Sequence, residues 1–430
     1  MDIASLYQVY TTCSSVSTDT RQDPSGSLFF CLKGPNFDAN TFALKALEMG
    51  ATHVVADDPQ LVGLDGITVV DDSLTCLQDL ARHHRRQLSC PLIGLTGSNG
   101  KTTHKELIAA VLSQRYRTFY TKGNLNNHIG VPLSLLAIPL DAEMAVIVMG
   151  ANHQGEIRDL SAICEPDVGL ITNIGKAHLE GFGGLEGVRK GKGELFDFLR
   201  KRDKHLVFLN GDDEQLCDMA RGMSAVLYGT QPGFYITGMI SKSPEDGLAV
   251  TYRQGDFISP LIQTQLIGDY NLYNVLAAVC IGRYYDVPHE DIRSGLQNYR
   301  PSLNRSQLHK SDRNTLILDA YNANPSSMQL AIEDFAKAEA SNKLLILGEM
   351  LELGTESKEE HRKVVELILD KGLQALLVGE AFEVLSPLPF PCFSDSEALK
   401  EYLEKEPVEG ATILLKGSRR VALEKVVPVL

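Results

Sequence analysis

The densest chemistry in this chain lies in one stretch, Gly94-Leu95-Thr96-Gly97-Ser98-Asn99-Gly100-Lys101-Thr102-Thr103. The apolar run beginning at Pro91 suits a buried strand, and Leu107, Ile108, Val111 and Leu112 recur afterwards at helical spacing. A strand, a glycine turn and a helix start, in that order, make a phosphate cradle. Backbone N–H groups of Gly97, Ser98, Asn99 and Gly100 face an anion at the positive end of the helix. Lys101 reaches the terminal phosphates, and the hydroxyl of Thr102 or Thr103 holds Mg²⁺. Binding of ATP or GTP is the expectation. One glycine is out of register: counting back from Gly100-Lys101, the usual first-glycine position is Leu95, and Gly94 precedes it.

The elements that must position this loop read as three α/β domains. Residues 1–87 hold strand patterns at 27–32, 53–56 and 67–70, with helices at 41–49 and 72–86. The basic tail His83-His84-Arg85-Arg86 reads as a complement to the helix dipole and nothing more. From 88 to 299, apolar strands at 92–96, 145–149, 168–172, 206–209 and 225–228 alternate with helices. That pattern predicts a parallel sheet covered on both faces, with ligands at the strand C-terminal ends. Polar clusters are read there: Asn124, Asn126, Asn127 and His128 in one, and Asn173, His178, Glu180, Lys192 and Glu194 after the strand ending at Thr172. Residues 231–265 read as a β excursion, and Val275–Ile281 as an apolar helix. From 300 to 430 the alternation restarts as a Rossmann-like domain without G-x-G-x-x-G, so no dinucleotide is inferred. Asn324 can cap a helix that starts at Pro325.

Composition narrows the class. A net charge of −14 leaves no basic excess for nucleic acid or a membrane surface. Eight cysteines without a C-x-x-C pair suggest reduced thiols in the cytoplasm. No signal peptide or run of about 20 apolar residues is evident.

Several stretches together resemble the Mur ligase family: the Gly94–Thr103 loop, Asn124–Leu133, Met149–Ile157, Asn173–Glu180, Lys192–Leu195, Asp319–Met328, Leu347–Gly354 and Leu415–Arg419. The match runs in order from about residue 16 to 425, and it accounts for the displaced glycine. The last three stretches are similar to those of the member that joins D-alanyl-D-alanine to UDP-N-acetylmuramoyl-tripeptide. The resemblance implies a cytoplasmic, monomeric ATP-dependent ligase of peptidoglycan synthesis that works through an acyl phosphate.

It also implies roles. Lys101 and Arg305, in Leu303-Asn304-Arg305-Ser306-Gln307, would hold ATP phosphates. Thr102 would bind one Mg²⁺, and His178 with a carbamylated Lys192 a second. The sequence pattern alone reads Lys192 as a surface residue. Asn271 and Asn274 would lie by the adenine and Asp319 by the ribose. Ser17, Asp19, Arg21 and Lys33 would hold the uridine nucleotide, and Asn127 the UDP-sugar. Asn322, Asn324, Glu349, Glu352, Lys416, Ser418 and Arg419 lie where the family takes the incoming dipeptide.

This chain departs from the family pattern in three places. Val148 stands where the family has a metal-binding Glu, Asp38-Ala39-Asn40 replaces Asp-Gly-His, and Arg419-Arg420 replaces Arg-Gly. Two rival readings follow. One is a Mur-type ligase of different amino-acid specificity, although the Asp-Asn-Pro-Arg motif of the diamino-acid-adding member is absent around Asn322–Pro325. The other is a nucleotide-binding relative whose catalysis is impaired through Val148.

Overall fold

The structure is a computed structural model that describes residues 2–202, 206–241, 247–301 and 305–430. Leu303 and Asn304 of the arginine motif lie outside the described residues. Three sheets carry the fold. The N-terminal sheet is parallel, in the order Ser15–Ser17, Ser27–Phe30, His53–Ala56 and Ile67–Val69.

Among the described residues the central sheet has ten strands, and its parallel part places Leu92–Thr96 between Val168–Ile171 and Met144–Val148. These strands are buried along their whole length, as a sheet covered on both faces requires. The chain leaves Leu92–Thr96 toward one side of the sheet and later returns on the other. This is the strand-order reversal at which open α/β sheets form a crevice. The excursion read at 231–265 is an antiparallel extension of this same sheet. The third sheet is parallel through Thr315–Asp319, Thr412–Lys416, Lys343–Gly348, Gln374–Val378 and Cys392–Phe393, with Gln307–Lys310 antiparallel at its edge. Strand Thr118–Tyr120 and helix His289–Asn298 were not marked by the pattern. The first is short, and the second buries only Ile292, Gly295 and Leu296.

The out-of-register glycine has a packing cause. Gly94 lies within a strand, and a Cβ there would come 2.9 Å from Pro166 Cβ and 3.0 Å from Met149 Cε. It serves the core rather than the loop.

The basic tail of the helix Ser73–Arg85 corrects its sequence reading. His84 and Arg85 are buried. His84 Nε2 lies 2.8 Å from Ile138 O, and Tyr7 Oη lies 3.0 Å from His84 Nδ1. Burial depresses the His84 pKa and so favours the neutral ring, in which Nε2–H donates to the Ile138 carbonyl. Arg85 donates to Cys164 O, Glu165 O and Asp167, and Arg86 pairs with Glu165. Leu77 and Leu80 of the same helix share one core with Leu135 and Leu160 of central helices. The tail is a docking device between the N-terminal and central sheets.

Candidate active site

Phosphate-binding geometry begins at Gly97 and Gly100, whose φ values of 145° and 75° suit glycine. A Cβ on Gly97 would sit 1.9 Å from Thr172 Oγ1. The neighbouring strand exit holds the loop: Thr172 Oγ1 donates to Asn99 O (2.6 Å), Ser98 N to Asn173 O (3.0 Å) and Asn99 N to Asn173 Oδ1 (3.0 Å). The 12-residue helix Lys101–Leu112 then starts directly behind Gly100. Lys101 Nζ donates to Gly97 O and Ser98 O, which places its charge over the loop. Burial, and secondarily Arg305, lowers its pKa to about 8.

This loop forms one wall of a cavity of about 750 Å³. Ser98 through Thr103, Asn127, His178, Asn271 and Asn274 line it from the central sheet. Arg305, Asp319, Asn322, Asn324 and Lys416 line it from the C-terminal side. Asn271 and Asn274 are buried and bonded to each other. Arg305 stacks on Tyr321, with Cζ 3.6 Å from the ring centroid, and its buried Nε has no partner among the described residues. Burial pulls the Arg305 pKa below the usual arginine value against the opposing effect of Tyr321. A buried guanidinium with an unused donor suits an anionic oxygen.

Asp319 and Lys416 are register neighbours on adjacent strands, with Lys416 Nζ 2.6 Å from Asp319 Oδ2. Two residues expected on different ligands thus form one ion pair. Asn127 Oδ1 accepts from Ile129 N and Gly130 N, fixing the turn into the helix Gly130–Leu136. Asn324 Oδ1 accepts from Ser327 N, while its Nδ2 donates to Asn99 Oδ1 at 2.7 Å, tying the C-terminal sheet to the phosphate loop.

Some expected residues do not reach the cavity. Glu349 accepts from Ala381 N, Ser418 Oγ accepts from Leu351 N, and Arg419 pairs with Glu424 in solvent. These side chains stabilise turns at the strand ends and do not line the cavity. Ser17, Asp19, Arg21 and Lys33 also lie outside it: Ser17 ends a strand of the N-terminal sheet, Asp19 and Arg21 follow it, and Lys33 lies in a short strand paired with Phe37–Asp38. Asp19 pairs with Arg21, and Lys33 with Asp57. Glu352, expected on the dipeptide, instead lies against His178 Nδ1.

Lys192 is fully buried in the helix Leu185–Arg200, against its pattern reading. Its Nζ donates to Ala151 O (3.0 Å) and lies 4.8 Å from the Phe182 ring centroid. Burial, then the charge of Lys101, pushes its pKa well below the lysine range, while Glu156 and Glu194 oppose this. A helix-face lysine looks solvated by type; only the packing of its helix against the sheet shows otherwise.

The cradle fits a nucleotide phosphate, with Thr102 beside it to hold Mg²⁺. A second cation fits less well. Among the described residues no group of three His, Cys, Asp or Glu side chains could hold a metal. Val148 lines the cavity and has no donor atom, and Lys192 offers an amine.

Sequence reasoning missed Lys105, which is buried and lines the cavity; its Nζ donates to Thr121 O at 2.9 Å. Its signal was the spacing, one helical turn after Lys101 on the same face. Tyr321 and Lys176, which bonds Glu360 across the sheets at 2.7 Å, carried no signal of their own.

The Mur ligase middle domain matches residues 95–282, and the Mur ligase, glutamate ligase domain matches residues 304–419. The chain is 35% identical over 433 aligned residues to the UDP-N-acetylmuramoyl-tripeptide–D-alanyl-D-alanine ligase of Bacillus subtilis, spanning 97% of this chain and 93% of that one. This chain belongs to the Mur ligase family. Among solved Mur ligases, MurF of Acinetobacter baumannii superposes with a TM-score of 0.88 at 27% identity, over 99% of this chain and 97% of that one. MurF ligase of Thermotoga maritima, solved in complex with ADP, superposes with a TM-score of 0.86 at 27% identity, over 97% of each chain.

Proposed function

We propose that this Mur ligase joins D-alanyl-D-alanine to UDP-N-acetylmuramoyl-tripeptide at the expense of ATP. The observation that carries the reading is a single cavity walled by a phosphate loop on one sheet and by Arg305, Asp319 and Asn324 on another. The tripeptide carboxylate takes the γ-phosphoryl group, giving an acyl phosphate and ADP. The dipeptide amine attacks the acyl carbon, and phosphate leaves as the amide bond forms. Transfer of this kind depends on positioning and on positive charge around the migrating group. The amides from Gly97 to Gly100 orient the phosphates, and Lys101 and Arg305 supply charge on opposite sides. Asn271 and Asn274 face the adenine, and Asp319 the ribose, with Lys416 holding its carboxylate in place. Asn322 and Asn324 lie on the side from which the dipeptide enters. The uridine nucleotide is held by Ser17, Asp19, Arg21 and Lys33, with Asn127 on its sugar.

Mg²⁺ at Thr102, when bound, offsets phosphate charge. A second Mg²⁺ would rest on His178 and on Lys192 carrying a carbamate. Burial disfavours the ammonium form of Lys192, which favours attack of its amine on CO₂, and the adduct would supply the carboxylate that Val148 does not. The working units are 1–87 for the UDP-sugar, 88–299 for ATP and 300–430 for the dipeptide and part of ATP. The enzyme acts as a monomer in the cytoplasm. All eight cysteines are free, and among the described residues no helix is long and apolar enough to cross a membrane.

Mass spectrometry of the native enzyme with and without bicarbonate, on the wild type and Lys192→Met, tests the carbamate. A CO₂ adduct only on the wild type is expected. No adduct, together with full ligation activity in Lys192→Met, would refute it. Detection of the ligated UDP-pentapeptide from tripeptide, dipeptide and ATP tests the reaction itself.

A further inference from the structure

We propose that Glu352 is a positioning residue that fixes the His178 imidazole when the C-terminal sheet docks; this rests on His178 acting at the reaction site as read above. His178 and Glu352 come from different sheets, and both adopt left-handed backbone, with φ of 53° and 61°. Side chains other than glycine rarely take that conformation, so both loops are held in special shapes at their point of contact. His178 N-caps a short helix and lines the cavity, with its Nδ1 buried. The Glu352 carboxylate lies against that nitrogen, which meets no hydrogen-bond geometry with any of the described residues.

The surrounding backbone is built for this approach. Glu180 N donates to Glu352 O at 3.3 Å, and a Cβ on Gly354 would come 3.2 Å from the Glu180 side chain. Two further links flank it: Lys176 N donates to Ser326 Oγ at 2.9 Å, and Lys176 Nζ to Glu360 at 2.7 Å.

A carboxylate at Nδ1 keeps the proton on that nitrogen and leaves the Nε2 lone pair free as an acceptor. Carboxylate partners set the tautomer and orientation of ligating imidazoles in this way. The partner here belongs to the C-terminal sheet, across the cleft from His178. Docking of the C-terminal sheet therefore completes His178, and an open cleft leaves the imidazole free to rotate and to exchange tautomers.

The test uses full-length wild type, Glu352→Ala, Glu352→Gln, His178→Ala and the Glu352→Ala/His178→Ala pair. Glu352 is half-exposed, so its truncation leaves no buried void. Glu352→Ala should lower kcat at least about tenfold with KM for ATP and dipeptide within about twofold. Glu352→Gln should recover part of that loss, because its amide oxygen still accepts from Nδ1–H. The double variant should be no worse than His178→Ala. Side-chain nitrogen NMR of ¹⁵N-histidine-labelled enzyme with Mg²⁺ and ADP should show His178 as the Nδ1–H tautomer, and a mixture in Glu352→Ala. An unchanged tautomer, or a rise in the dipeptide KM at constant kcat, would overturn the positioning role. A fully active His178→Ala would instead sink the reading of the site beneath it. An inactive His178→Ala beside a normal Glu352→Ala would sink the Glu352 role alone.

Discussion

Two substitutions at Asn324 separate a local job from a long-range one. Its Oδ1 caps the helix Pro325–Lys337 by accepting from Ser327 N, in a reciprocal capping box. Its Nδ2 reaches the phosphate loop at Asn99 Oδ1, 2.7 Å away. Losing a cap of this type costs about 1 kcal/mol, and the second bond contributes about 1 kcal/mol. Asn324→Ser keeps a good capping oxygen but is too short to bridge to Asn99, whereas Asn324→Ala loses both. Thermal unfolding should therefore show Asn324→Ser lower by roughly 3 °C, for the bridge alone, and Asn324→Ala lower by roughly 6 °C, for both. Steady-state phosphate release should show kcat/KM for ATP reduced about fivefold in both, the factor that 1 kcal/mol produces. An Asn324→Ser enzyme with wild-type kcat/KM would refute the bridge. An Asn324→Ser enzyme as destabilised as Asn324→Ala would refute the cap.

Gly97→Ala should weaken Mg²⁺-ADP binding by about tenfold or more, because the new Cβ meets Thr172 while φ stays at 145°; calorimetry giving an unchanged affinity would contradict this. Burial lowers the Lys101 pKa to about 8 from 10.5. ADP affinity should therefore fall as pH rises through about 8. Over the same span the ligand-free enzyme should gain stability, because the folded state binds fewer protons there than the unfolded one. In Lys101→Met both trends should flatten, and pH profiles of affinity and melting temperature that match the wild type would contradict the assignment. Arg85→Ala strips a buried guanidinium from Asp167, Cys164 O and Glu165 O. It should cost about 2–3 kcal/mol in urea unfolding, and an unchanged midpoint would show that the N-terminal sheet docks without it.

Local grammar carried the fold well. Apolar runs of strand length, Asn324 before Pro325 and glycines at helix ends are read within a few residues of themselves, and the sheets follow from their alternation. The phosphate loop was legible for the same reason, since its strand, turn and helix start are contiguous. Lys192 was not legible by type, because its burial comes from tertiary packing that brings Ala151 and the Phe182 ring against it. Arg85 and His84 were misread likewise, their acceptors being Cys164, Glu165, Asp167 and Ile138. At the C-terminal strand ends the motif marks Glu349, Ser418 and Lys416, and of these only Lys416 lines the cavity. It could not say that Glu349 and Ser418 turn to backbone donors while Lys416 pairs with Asp319. Side-chain direction there is set by neighbouring turns, and Glu352 meets His178 only because two left-handed residues face each other across sheets.

Release of inorganic phosphate by the purified enzyme, followed while each component is withheld in turn, is the most direct test of the proposed reaction. With ATP, Mg²⁺, UDP-N-acetylmuramoyl-tripeptide and D-alanyl-D-alanine together, phosphate should appear in step with the ligated product. Withholding the dipeptide or the tripeptide should return it to background. Background release with all components present, or release indifferent to the dipeptide, would contradict the ligase assignment.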